Sequence, residues 1–459
     1  MIEILEASFR DPAGFLFRAE GKLYRQVNST YKETYQALHS SGLFEELFDR
    51  KMLVKHAEVD IPALTGEAWC VIEPMELPVI SYAYEWSFGQ LKDAALLTLE
   101  LQELALEKNF SLKDASIYNV QFLDGKPIFI DTLSFETYDE GKPWFAYKQF
   151  CQHFLAPLAL MSKTDISLQQ LLRNNIDGIP LELASKLLPW STKFSFSLLV
   201  HIHWHAKFQT KHADKTIKSD KPFTRHAFRA LLDNLRTVIG KLEWRATGTE
   251  WNDYYEANNN YGAAALNQKE AVVSRYVQAL SPTSVWDLGA NTGRFSHIAA
   301  EYSGHVCAWD IDPACVENNY RALENSPSKN IYPLLLDLCN PSTAIGWANT
   351  ERDSFRERGG VDLILALGLI HHLVISNNLP LTRVAKFFAE IGDNLVIEFV
   401  PKSDSQVVKL LRNRQDIFPD YEQGQFERYF SQYFDIREST KIEGSERTLY
   451  LMSTKPAQP

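Results

Sequence analysis

The stretch Val285–Phe295, VWDLGANTGRF, decides the fold of the second half of the chain. The apolar pair Val285–Trp286 runs into an acid, Asp287. Two glycines and an asparagine (Gly289, Asn291, Gly293) then pass before a helical pattern resumes from Arg294 through Tyr302. A buried strand, a glycine turn and a helix form the opening unit of a parallel sheet, because glycine tolerates positive φ and lets backbone approach a ligand at the carboxyl end of the strand. The turn is not a dinucleotide clamp. From Gly289 the Gly-x-Gly-x-x-Gly pattern needs glycines at 291 and 294, where the chain has Asn291 and Arg294, and the Gly-Lys-Ser/Thr end of a phosphate loop is missing as well.

Outward from this turn, the apolar runs TSVWDL, HVCAWD, IYPLLL, VDLILAL and NLVIEFV alternate with helical patterns such as PACVENNYRAL and PLTRVAKFFAEI. Runs buried on both faces, each followed by an amphipathic helix, predict a doubly wound parallel sheet. The tail, FDIRES and RTLYLMS across a Gly-Ser turn, predicts an antiparallel hairpin. Asp310, in WDIDP, ends the strand after the glycine turn. A carboxylate there accepts both hydroxyls of a ribose while the turn faces a zwitterionic tail, and S-adenosylmethionine (SAM) carries both groups.

With DLGANTG as first motif and WDIDP as second, residues from about Trp251 to Met452 resemble class I SAM-dependent methyltransferases. The resemblance implies a Rossmann-like α/β domain with a seven-stranded sheet ending in the hairpin. It also implies that Asp287, Gly289, Asn291 and Gly293 line the cofactor, that Asp310 holds its ribose and that Asp337, ending PLLLD, contacts the adenine amine. LALGLIHHLVIS, after the fourth strand, then borders the methyl group. It lacks the Asn/Asp-Pro-Pro-aromatic motif of enzymes that methylate base amines. His371 and His372 are candidate general bases, since histidine titrates near neutrality. Glu398, in IEFVPKSD with Lys402, is a candidate base or orienting group at the same edge. The aromatic stretch WNDYYEANNNYG (Trp251, Tyr254, Tyr255, Tyr261) is either a cover over the cofactor or core filling. The expected acceptor is an oxygen, nitrogen or carbon of a small molecule or modified product.

The front half carries a second pattern. In LKDASIYNVQFLDGKPIFIDTLSF (Leu112–Phe135), Asp114, Asn119 and Asp131 lie along a strand, a Gly-Lys turn and another strand. Protein kinases and aminoglycoside-phosphotransferase-like proteins, which this region resembles over about residues 10 to 205, place a catalytic Asp and two magnesium ligands in this order. Asp114 is then the base, and Asn119 and Asp131 hold Mg-ATP. The departures are that no glycine-rich loop occurs, Leu112 replaces the usual histidine, Thr132–Leu133 follow Asp131, and Arg25 stands where a lysine is expected. The expectation is therefore a degenerate α+β kinase-like domain that aids substrate recognition. A bifunctional methyltransferase and phosphotransferase is one alternative; a non-catalytic SAM-binding scaffold for a protein or RNA partner is the other. His201, His203 and His205 share a face, and so bind a metal, only if HIHWHAK is a strand; in a helix they fan apart.

The 459 residues are ordinary globular composition, 45% hydrophobic and 23% charged, with a formal net charge of −11 that opposes non-specific association with nucleic acid. Lys207–Arg229, with seven Lys or Arg against Asp214 and Asp220, is the local exception and keeps a nucleic-acid contact open. Five cysteines without paired short spacings, no cationic leader and no run of about 18 apolar residues predict a cytoplasmic chain without membrane insertion. The predicted divisions are a kinase-like domain at 1–205, a basic helical connector at 206–250 and the methyltransferase domain at 251–459.

Overall fold

The computed structural model describes residues 2–205, 223–249, 262–412 and 414–456. The chain forms two compact units, Met1–Arg245 with Ala344–Arg352, and Ala246–Thr343 with Asp353–Pro459.

The first unit opens with five strands, β1 (Ile2–Ile4), β2 (Gly14–Ala19), β3 (Lys22–Asn28), β4 (His56–Val59) and β5 (Ala68–Pro74), in one antiparallel sheet of order β1-β2-β3-β5-β4. Helices α1 (Lys32–Ser40) and α2 (Leu43–Asp49) interrupt the strand order between β3 and β4. Helix α3 (Phe88–Glu107) begins at a capping box, in which the Ser87 side chain accepts from Gln90 N and Gln90 reaches back to Ser87 N. It is apolar nearly all round and correspondingly buried along most of its length. Strand β6 (Phe110–Leu112) follows, then a single turn at Ile117–Asn119 and the hairpin β7 (Val120–Leu123) and β8 (Lys126–Phe129). Strand β9 (Phe135–Thr137) returns to pair with β6.

Two parts of this unit depart from the predicted divisions. Helix α4 (Arg225–Lys241), capped by the Thr224 hydroxyl, buries Phe228, Leu232, Leu235 and Ile239. Arg236 pairs with Glu103 of α3, and Lys92 Nζ donates to Gly240 O at 2.9 Å. An amphipathic helix must bury its stripe, so this half of the predicted connector is integral to the first unit. The loop Ala344–Arg352, drawn from the later half of the chain, also belongs to it. In that loop Glu351 is buried, and its carboxylate takes both Nε and Nη2 of Arg10. Arg352 lies 4.3 Å from the Tyr118 ring centroid.

The second unit is one sheet of seven strands: β10 (Ser284–Leu288), β11 (His305–Asp310), β12 (Ile331–Leu335), β13 (Val361–Ala366), β14 (Gly392–Phe399), β15 (Phe434–Lys441) and β16 (Thr448–Thr454). Their order is β12-β11-β10-β13-β14-β16-β15. The first five run parallel, as the apolar runs predict, and β16 pairs antiparallel with both β14 and β15. The order reverses at β10, which places the crevice between β10 and β13 at the switch point where ligands of open α/β sheets bind. Helix α5 (Ala263–Leu280) leads into β10, α6 (Arg294–Ala300) follows the glycine turn, α7 (Pro313–Ala322) follows β11 and α8 (Leu381–Ile391) precedes β14. The core joins Val272, Val273 and Val277 of α5 to Val285, Leu363 and Val396 of the central strands.

Candidate functional site

The glycine turn sits at the carboxyl end of β10, stitched to the neighbouring strand. Gly289 N and Ala290 N both donate to Trp309 O at 2.9 Å. Gly289, Asn291 and Gly293 all have positive φ (+76°, +53° and +86°). At Gly293 a side chain is also sterically barred, since a Cβ would lie 2.4 Å from Asn319 Nδ2. Asn291 N donates to Asp310 Oδ2 at 2.7 Å, and Asp312 N donates to Asp310 Oδ1 at 2.8 Å. The carboxylate also takes a backbone bond from Ile311, which leaves it lone-pair capacity for a ribose hydroxyl beyond three backbone bonds. Behind the turn, Ser296 Oγ donates to Asp287 Oδ2 at 2.6 Å. Burial pushes the carboxyls of Asp287 and Asp310 up to about 7 and about 6, more strongly than the hydrogen bonds from Ser296 and from Asp312 and Asn291 lower them. Asp337, exposed just past β12, accepts Cys339 N at 2.9 Å.

Past the end of β13, Gly368 (φ +65°) leads into His371 and His372, whose ring centroids are 4.1 Å apart. His371 is buried, and its Nδ1 has no hydrogen-bond partner among the described residues. Burial, then the charges of His372, Arg447 and Lys269, hold it well below the ordinary histidine range. Burial and Arg447 lower His372 to about 4. Both are therefore neutral imidazoles near pH 7, the form that accepts a proton.

Glu398 has 0% exposure at the end of β14. Lys269 Nζ of α5 donates to its Oε2 at 2.9 Å, and Arg447 Nη1 lies 3.8 Å away. Arg447 in turn grips Asp404 through Nε (2.7 Å) and Nη2 (3.1 Å). Lys269 also lies 4.8 Å from the Phe295 ring centroid. A carboxylate compensated by two cations is a poor proton acceptor, so of the two roles anticipated for Glu398 this geometry fits orientation. Lys402 is engaged by Asp416 (2.7 Å). Sequence reasoning missed Lys269, Arg447 and Asp404. A signal was present for the first, because Lys269 falls in the stripe Ala265, Leu266, Val272, Val273, Tyr276 and Val277, and a lysine on the buried face of a helix demands an anion.

In the first unit, Asp114, Asn119 and Asp131 are brought together. Asn119 Nδ2 donates to Ser134 Oγ at 3.1 Å, and that hydroxyl donates to Asp131 Oδ2. Asp114 Oδ1 accepts from Ser116 N and Gln149 Nε2, both at 2.8 Å. Burial and the charge of Asp131 raise the Asp114 carboxyl. Arg25, on β3, bridges Asp131 Oδ1 and Asp11 Oδ2 (2.7 Å to the latter). Burial alone would raise the Asp131 carboxyl, but Arg25, Ser134 and Leu133 N outweigh it and hold it below the usual range. The three histidines lie in a helical segment, Leu199–Trp204 and its end, and do not converge: His201 bonds Tyr147 and Asn234, and His203 bonds Ser185 and Thr192. The aromatic stretch 251–261 and residues 207–222 of the basic stretch lie outside the described residues.

A five-strand parallel run closed by an antiparallel pair in this order, with a glycine turn and a strand-end acid at its switch point, defines a Rossmann-like, doubly wound α/β fold with a ligand crevice. No family model matches the chain. The chain belongs to the family of the nodulation protein NoeA, being 37% identical over 455 residues to NoeA of Rhizobium meliloti (strain 1021), across 96% of this chain and 94% of that one. Among solved structures it is similar to the N-methyltransferase NodS from Bradyrhizobium japonicum WM9 in complex with S-adenosyl-L-homocysteine (10% identity, 45% of this chain and 93% of that chain, TM-score 0.33). It is also similar to the magnesium protoporphyrin IX methyltransferase ChlM from Synechocystis PCC 6803 with bound SAM (14% identity, 46% of this chain and 100% of that chain, TM-score 0.30).

Proposed function

We propose that the second unit binds S-adenosylmethionine across the carboxyl ends of β10 and β11 and transfers its methyl group to an oxygen, nitrogen or carbon of a small molecule or modified product. The observation that carries this reading is the bond from Asn291 N to Asp310 Oδ2, which ties the glycine turn to the strand-end carboxylate. The donor set fits the cofactor: a buried carboxylate with spare acceptor capacity, a turn in which positive φ exposes backbone, and a buried, unpartnered nitrogen on His371 at the neighbouring strand end. The cofactor supplies an electrophilic methyl, so the protein's task is alignment and, where the acceptor needs it, proton removal. His371 and His372 are the candidate acceptors of that proton, as weak bases held neutral by burial, and Glu398, fixed by Lys269, is the candidate orienting group. Calorimetry tests the core of this reading. Replacing Asp310 with Ala should weaken SAM at least ~30-fold, the worth of a charge-assisted hydrogen bond; unchanged affinity overturns the assignment.

The first unit we read as a kinase-like scaffold that aids substrate recognition. Its element order supports this: a five-stranded antiparallel sheet, a long helix, then β6, the Asp114–Asn119 turn, a hairpin and Asp131. Mg-ATP does not fit the residues present. The Asp131 carboxylate is already engaged by Arg25, Ser134 and Leu133 N, and Asn119 Nδ2 is turned to Ser134.

A further inference from the structure

We propose that the first unit carries a surface for docking on an anionic lipid bilayer, built around Trp190, Phe194 and Phe196. These three side chains are 67%, 75% and 70% exposed, and Leu187 and Trp204 nearby are also exposed. Aromatic side chains of this size are rarely left in water together, and the Trp190 and Phe194 rings meet edge to face in the open, 4.8 Å between centroids.

The presentation is preformed. Under the turn Trp190–Phe194, the buried Thr192 hydroxyl donates to Pro189 O at 2.7 Å and meets His203 Nε2 at 3.0 Å. The other nitrogen of His203 is held by Ser185 Oγ at 2.8 Å. Leu188, Leu198 and Ile202 anchor the same segment from below. The backbone is thus pinned on its inner side while the large rings project outward.

The electrostatics select the partner. No acidic residue occurs between Glu182 and Asp214, although the chain as a whole carries −11. Lys186 and Lys193 lie within the aromatic segment, and the chain runs directly on into Lys207–Arg229, its most basic stretch. Trp and Phe beside lysines suit the interface of a bilayer with anionic headgroups, where rings settle at headgroup depth and cations meet lipid charge. The association is peripheral, as no described helix is long and apolar enough to cross a membrane.

The test is flotation of the full chain with vesicles of phosphatidylcholine alone or mixed with phosphatidylglycerol. The wild type should float with the mixed vesicles only and detach as salt rises. The variant Trp190→Ser/Phe194→Ser/Phe196→Ser should bind at least ~10-fold more weakly. Charge reversal, Lys186→Glu/Lys193→Glu, should also reduce binding while leaving the aromatic face intact, and circular dichroism and the thermal midpoint verify that both variants fold. Failure of the wild type to float overturns the proposal, as does equal flotation of the triple variant. Sedimentation in which the triple substitution turns a dimer into a monomer, with no vesicle binding by the wild type, assigns the patch to self-association instead.

Discussion

Asp310 shows how much chemistry one side chain concentrates at this site. Buried and raised to about 6, it must lose its proton before it can accept a ribose hydroxyl. SAM affinity should therefore climb by up to about tenfold per pH unit as pH rises toward ~6 and level off above it, and Asp310→Asn should flatten the slope; calorimetry between about pH 5 and pH 8 reads this. His372, lowered to about 4, and His371, also held low, stay neutral across that window, whereas Asp287, raised to about 7, titrates within it, so the part of the slope that Asp310→Asn removes is the part that belongs to Asp310. Lys269 yields a second prediction. Its removal as Lys269→Met strands Glu398 in the core at a cost of about 3 kcal/mol, the lower end for breaking a buried pair because Arg447 remains 3.8 Å away. Lys269→Met/Glu398→Gln should recover much of the loss in thermal unfolding. Additive effects of the two substitutions would show that the residues do not interact. The sequence displays Lys269 as an anomaly in an apolar stripe, but its partners lie at 398 and 447, and spacing along a chain says nothing about which distant charge arrives beside it.

Elements were the most legible level. Each of the five parallel strands announces itself as a short apolar run buried on both faces, and each helix between them as a periodic stripe, because burial geometry writes directly into residue order. The glycine turn was equally legible, since positive φ at Gly289 and Gly293 demands a residue without a Cβ. Harder to read was HIHWHAK, where strand and helix give opposite answers about metal binding and only the helical backbone separates the three rings. The hairpin β7–β8 was recognisable from its Gly-Lys turn, yet the fate of Asp131 depends on β3, a hundred residues earlier, delivering Arg25. That placement gives a prediction for the whole hairpin. Mg-ATP should leave the melting temperature of the wild type unchanged. Arg25→Gln should lower stability by about 3 kcal/mol, the lower end for breaking a buried pair because Asp11 keeps Lys113 at 4.0 Å and Asp131 keeps Ser134 and Leu133 N, as followed by chemical denaturation. A clear Mg-ATP-dependent rise in the wild-type midpoint would restore the phosphotransferase reading.

At the scale of the molecule, the division of the chain is not the division of the sequence. The loop Ala344–Arg352 lies between β12 and β13 in order but folds as part of the first unit, where Glu351 fills the Arg10 fork and Gly346 gives room for the Glu351 side chain. Glu351→Ala should speed amide exchange of the neighbouring segment Ser8–Asp11 by about tenfold, the worth of one charged hydrogen-bonded pair with an exposed partner, and mass spectrometry of exchanged peptides measures it. No change there would mean that the loop is held by other contacts. By itself the sequence determined the parallel sheet, its terminal hairpin, the glycine turn and the strand-end acid, because local periodicity and backbone sterics act over a few residues. Only the tertiary structure decided that Glu398 sits between Lys269 and Arg447, that Arg25 fills Asp131, and that a loop from the second half completes the first unit. Charges pair through space, and the chain brings together residues whose separation in sequence carries no trace of the encounter.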